Sequence, residues 1–248
     1  MAVTDSSFTS PRIRDSLAAI HQRTLELIVH GASLQDVLGA LCDGIDALDP
    51  DVISSVLLAD ADGQHLWPAA GRRVPDDYKQ LITPLPIGPA IGACGTAAFR
   101  KERVISSDIA TDSLWSGPAE KYRRMALQHG LHTAWSVPIV SENGTLLGTF
   151  GLHHTKAHSV DGDELELLEQ AQHIALIAIE RDRAQTALTE ALAEVRKSEA
   201  ELRTIVDMFR NLLPYSLLMA GPLRDERGRV VRWYATATDI DKHQYKSR

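Results

Sequence analysis

The residue in this chain best placed for chemistry is Cys94, in the run Gly92-Ala93-Cys94-Gly95-Thr96. The spacing starts a short helix there, over Cys94 to Lys101. Unpaired amides at a helix start favour an anion, and a thiol beside them has its pKa lowered. Gly88, Gly92 and Gly95 would let backbone approach a ligand closely. That chemistry is a pocket-lining or redox-sensitive cysteine. The ordinary alternative is a small buried residue capping a helix, because free cysteine is among the most buried types. Trp115 and Trp135 are large and partly polar in a chain with 5% aromatics, so they are candidate pocket walls or plain core. Asp108, Thr111 and Asp112 lie in the loop just before Trp115. They are placed to fix a polar ligand group or to make turns and cap helices.

Other chemistries find little support. There is no Gly-Lys-Ser/Thr phosphate loop. Of ten histidines, His153 and His154 are adjacent on a predicted strand, point to opposite faces and cannot share one metal. His129 and His132 flank a helix end, where His129 complements the helix dipole. No His/Asp/Glu set has zinc-like spacing, so no metal is expected. Cys42 and Cys94 are too few for a disulfide framework and make no CxxC pair, which suits a reducing cytoplasm. The net charge of −7 argues against a nucleic-acid partner. No apolar run approaches the roughly 20 residues that span a bilayer, and the N-terminus has no secretory h-region.

The elements that must position these residues follow from periodicity. Helices are predicted from Ile13 to His30 and, capped by Ser33, through Leu34 to Leu48. Strands at Val52–Leu58 and His65–Ala69 are joined by Asp60-Ala61-Asp62-Gly63. A helix from Pro75 to Ile82 precedes a Pro- and Gly-rich loop over Thr83–Ala93. Arg103–Ser106 reads as an edge strand, Asp108–Gly117 as a loop, and Pro118–His129 as a helix ended by Gly130. Thr133–Val140 and Thr145–His154 form a hairpin across Asn143-Gly144. One helical pattern then runs from Gly162 to about Asn211. Its positions 174, 177, 181, 184, 188, 191, 195, 198, 202, 205 and 209 alternate steps of three and four, and nine of these eleven are apolar. That is a coiled-coil seam, weak around Arg181, Ala184, Ala191 and Ser198. The alternative packs Leu165–Ile179 on the sheet and leaves the rest solvated.

Residues 34 to 185 resemble a GAF domain, a small-molecule sensor module of bacterial signalling proteins. The resemblance rests on Cys94-Gly95-Thr96-Ala97-Ala98, Asp108-Ile109-Ala110-Thr111-Asp112, Leu114-Trp115, His129-Gly130-Leu131, Trp135-Ser136-Val137-Pro138-Ile139 and Leu147-Gly148-Thr149-Phe150. It implies an α+β fold: a central antiparallel sheet of about six strands, helices on both faces, then a long C-terminal signalling helix and a small β-hairpin. It also implies pairing of first and last helices in a homodimer, and a candidate pocket of Cys94, Gly95, Thr96, Asp108, Trp115, Trp135 and Phe150. No haem ligand is singled out, and neither cysteine precedes a histidine as bilin attachment requires, so the cofactor is unknown. Ser198–Asp207 and residues 222 to 241 resemble the lead-in and last hairpin of a PAS domain whose middle is absent. Tyr215–Ala220 and Val230–Thr238 are expected to pair around Asp225-Glu226-Arg227-Gly228. The expected organisation is a tail over 1–11, the GAF domain over 12–185, a signalling helix over 186–211 and a PAS-like remnant over 212–248.

The expectation is a cytoplasmic sensor in a two-component or similar pathway, not an enzyme. An unknown small ligand enters the pocket and the long helix carries the change to a signalling kinase or a cyclic-di-GMP partner. The alternatives are a ligand-free dimerisation module and a thiol-based reductase acting through Cys94.

Overall fold

The computed structural model describes residues 11–156, 162–212 and 216–239. Among them the helices are Pro11–Val29 (α1), Leu34–Asp46 (α2), Asp76–Leu81 (α3), Gly92–Arg100 (α4), Glu120–Gln128 (α5) and Gly162–Leu212 (α6). The strands are Val52–Ala59 (β1), His65–Ala70 (β2), Leu85–Pro86 (β3), Val104–Ser106 (β4), Thr133–Val140 (β5), Leu146–His154 (β6), Ser216–Arg224 (β7) and Val230–Asp239 (β8). Two compact units divide the chain, Met1–Gln185 and Thr186–Arg248.

In the first unit a β-branched, apolar run makes β1 an inner strand, and only Leu58 is less than buried along it. All pairings are antiparallel, in the order β3-β2-β1-β6-β5-β4. Alternate residues feed two cores, as period-two strands require. Val52, Val56, Trp135, Val137, Phe150 and Leu152 pack with α1, α2 and the first turns of α6. Ile53, Leu57 and Ala134 pack with α3, α4 and α5. This is the expected α+β architecture, with helices on both faces of a six-stranded sheet. Ser33 caps α2 as predicted, its Oγ accepting from the Asp36 N–H at 3.1 Å.

Three local expectations are corrected. The loop over Thr83–Ala93 contains β3, a two-residue strand that pairs with His65 and Leu66. Helix α4 begins at Gly92, not Cys94. The segment 113–119 winds into two 3-10 turns, Ser113–Trp115 and Gly117–Ala119, so α5 starts at Glu120. These short pieces are set by tertiary pairing and leave no periodicity to read.

Helix α6 is continuous over 51 residues. Leu167, Leu168, Ala171, Ile174, Ala175, Ala178 and Ile179 are buried in the first core. Further along, Leu188, Leu192, Val195, Leu202, Ile205 and Val206 are exposed. In the second unit β7 and β8 form a hairpin about Asp225, whose Oδ1 accepts from the Arg227 and Arg229 N–H groups at 2.9 Å each. The expected tail, but for Pro11, and residues 213–215 and 240–248 of the expected PAS-like remnant lie outside the described residues. No described helix is long and apolar enough to cross a membrane.

Candidate functional site

Helix α4 is built from small residues, and Ala93, Ala97 and Ala98 let it lie close on the sheet. A Cβ at Gly95 would stand 2.7 Å from both the Pro86 oxygen and the Ile91 Cβ. The Ile91 N–H donates to Thr96 Oγ1 at 3.1 Å. Gly95 and Thr96 therefore shape the 86–91 loop. Cys94 points inward toward the hydroxyls of Ser136 and Thr149, which favour its thiolate; burial outweighs them and pushes the thiol pKa up. The lowered pKa expected from its place at a helix start is overridden by desolvation.

Trp115 is buried, and its Nε1 donates to Ser106 Oγ at 3.0 Å. Its ring lies against Gly92, where a Cβ would come within 3.1 Å. Cys94 and Trp115 meet at a narrow cavity of about 30 Å³ between the sheet and helices α3, α4 and α5. That is room for about one water. Tyr78 of α3, Tyr122 of α5, Ile82 and His153 of β6 complete the wall. His153 is 5% exposed, and its Nδ1 has no hydrogen-bond partner. Burial drives its pKa down to about 4, so the ring is neutral near pH 7. Tyr78 meets that ring edge-on, with centroids 6.2 Å apart.

The remaining candidates lie elsewhere. Trp135 and Phe150 are fully buried in the opposite core, and the Trp135 ring sits 4.5 Å from that of His154. Asp108 organises its own turn, accepting from the Ala110 N–H at 3.0 Å and Thr111 Oγ1 at 2.9 Å. Asp112 caps the next turn through the Leu114 N–H. The structure thus brings Cys94 and Trp115 together, gives Gly95, Thr96 and Asp108 supporting places, and puts Trp135 and Phe150 across the sheet. Tyr78, Tyr122 and His153 were not singled out from sequence as pocket residues. The one signal was the His153-His154 pair, whose two faces were read but not assigned to a helix layer.

Two further features bear on the chemistry. Cys42 belongs to the core opposite Cys94, and burial pushes its thiol up to about 12. The sheet separates the two thiols. Helices α3 and α5 are joined by His129 Nε2, 2.7 Å from Asp77 Oδ1, and this bond holds the Asp77 carboxyl below the usual range. In the β1–β2 turn the donor atoms of Asp60, Asp62 and His65 lie within 4.8 Å of one another. The Asp60 carboxylate there already accepts from the Gln64 and His65 N–H groups.

A sequence profile described as the GAF domain matches residues 31–180. The chain is 31% identical over 205 residues, 83% of its length, to the methyl sulfide methyltransferase-associated sensor of Methanosarcina acetivorans. It spans 19% of that protein's length. Among solved structures it is similar to the free methionine-R-sulfoxide reductase of Neisseria meningitidis in complex with its substrate: TM-score 0.57, 16% identity, covering 75% of this chain and 96% of that one. It is also similar to the GAF domain of a phosphoenolpyruvate-protein phosphotransferase from Coxiella burnetii: TM-score 0.55, 20% identity, covering 69% and 97%. At these identities the two structures share its fold.

Proposed function

This chain belongs to the GAF domain family, and we propose that it is the sensing module of a signal-transduction protein. A small molecule binds in the cavity under Cys94 and Trp115, and α6 carries the change onward. The observation behind this reading is the continuity of α6. Seven of its residues are buried in the sensor core, and the same helix goes on to expose Leu188, Leu192, Val195 and Leu202. A ligand that binds two arrangements of the sheet with different affinity biases the helix with it. The exposed stripe pairs with a second copy of the chain, giving a homodimer through a coiled coil.

The finer parts rest on sequence. We read 216–239 as the closing hairpin of a PAS-like remnant, and a kinase or a cyclic-di-GMP protein as the output partner. The similarity to a methyltransferase-associated sensor supports a signalling role. A cytoplasmic setting suits two free, buried cysteines.

Native mass spectrometry of the freshly purified chain, combined with hydrogen exchange over 186–208, tests this. A retained small mass whose removal changes exchange in α6 is the expected result. A chain that never carries a ligand, with α6 exchange fixed, overturns it. The second reading, a ligand-free dimerisation module, is favoured by the tightness of the cavity, about 30 Å³.

A further inference from the structure

Helix α6 holds two alternative seams that share one row of residues. Arg181, Leu188, Val195 and Leu202 recur every seven residues and make the shared row. Three positions after each lie Ala184, Ala191, Ser198 and Ile205, on one side of the row. Four positions after each lie Gln185, Leu192, Glu199 and Val206, on the other. The two seams are centred about 50° apart around the helix axis.

Each seam has a defect. In the first, the shared row takes heptad position a, and the d positions are mostly small, so little apolar surface meets. In the second, the shared row takes d, where leucine suits a parallel dimer, and Leu192 and Val206 fill a. That seam also sets Glu199 against its own copy, like charge on like.

The sensor favours the first seam. Followed back by sevens, the Leu192 row reaches Ala178 and Ala171, both buried in the sensor core. The Ala191 row reaches Ile177 and Gln170, which are only half-buried. A second copy lying straight along α6 therefore meets the Ala191 row and leaves the core alone. The Leu192 row needs the helix to turn. That turn is resisted at Arg181, whose Nη1 donates to the Ala32 carbonyl oxygen at 3.3 Å. Ala32 lies just past the end of α1, where a cation complements the helix dipole. Residues 182 to 208 are all exposed, so the sensor's grip on the helix ends at Arg181.

We propose that α6 pairs with a second copy of this chain through either seam, and that the Arg181–Ala32 bond holds it in the Ala191 seam until the turn between α1 and α2 moves. The output is then a rotation of the paired helices, not their assembly. This rests on the homodimer reading above and goes beyond it by naming two states and the contact that chooses between them.

Disulfide formation across the dimer reads the choice. Chains carrying Cys42→Ala and Cys94→Ala would receive Ala191→Cys or Leu192→Cys, with circular dichroism to confirm each fold. The Ala191→Cys chain should cross-link about tenfold faster, since a seam position faces its own copy. Arg181→Ala should cut that ratio to about one, because it touches both seams and removes the tie. Arg181→Lys keeps a donor for the Ala32 oxygen and should restore most of the difference. Adding Glu199→Leu to Arg181→Ala should make the Leu192→Cys chain the faster one, and adding Ser198→Leu instead should return the lead to Ala191→Cys. Ile205→Cys against Val206→Cys should give the same order throughout.

A dimer whose ratio is near one in the parent, is unmoved by Arg181→Ala, or is reversed by Glu199→Leu with Arg181 in place overturns this inference and leaves the homodimer standing. A monomer in sedimentation overturns both.

Discussion

His129 Nε2 lies 2.7 Å from Asp77 Oδ1, so the residue that ends α5 grips the residue before Tyr78 on α3. Two helices that each send a tyrosine into the same cavity are thereby tied at one point. The pair is partly exposed and contributes little to global stability. Its effect should be local. His129→Gln is expected to leave the melting temperature nearly unchanged and to raise amide exchange in Asp76–Leu81 several-fold. Unchanged exchange would mean that packing of Tyr78 alone holds α3.

His153 predicts a dependence on pH. Its pKa in the folded chain is about 4, against 6.5 for a free imidazole, and the first cause is burial. The unfolded chain therefore binds more protons than the folded one between those values, and stability falls as pH falls from about 6.5 toward 4. One such group accounts for about 2 kcal/mol between pH 7 and pH 5. Urea unfolding at the two pH values should show that loss, and His153→Leu should lack it. An equal loss in the variant would assign the slope to other groups.

Trp115 and Trp135 should behave differently when shortened. Trp115→Phe removes the bond to Ser106 and opens the cavity, costing about 1–2 kcal/mol, and it should change which small molecules are retained. Trp135→Phe and Phe150→Leu act in the opposite core and should lower stability without altering retention; Phe150→Ala should cost about 3–5 kcal/mol. Retention by the purified variants, read by native mass spectrometry, checks the division. A ligand lost on Trp135→Phe would move the site across the sheet.

That division was the part of the site the sequence concealed. Helix, strand and turn signals placed nearly every element of the first unit, because Ser33, Asn143-Gly144 and the alternating runs at Val52 and Thr133 act locally. They also made Trp135 and Phe150 cross-sheet neighbours of their own face, since Val137 pairs with Phe150. Which face received α4 is a different matter. Both faces are covered by helices, so both read as apolar, and no change of polarity marks the pocket side. The thiol shift failed for a related reason: the helix start is legible, and the desolvation that overrides it depends on packing from three helices.

The exposed stripe on α6 carries the last prediction. Leu188, Val195 and Leu202 recur at seven-residue spacing, and each is more than half exposed. Leu192 and Val206 flank them on one side, and Ile205 and Ala191 on the other. A single helix leaving such a row in water is poorly stabilised, whereas a parallel pair buries it. Val195 belongs to the seam in either heptad register. Val195→Asp should therefore convert a dimer to a monomer in sedimentation experiments and lower helicity over 186–208. Register is read separately. Ala191→Cys and Leu192→Cys, each in a chain free of Cys42 and Cys94, should differ in disulfide cross-linking, and the faster one marks the core position. A monomeric parent chain, or cross-linking equally slow at both positions, would leave α6 without a partner of its own kind.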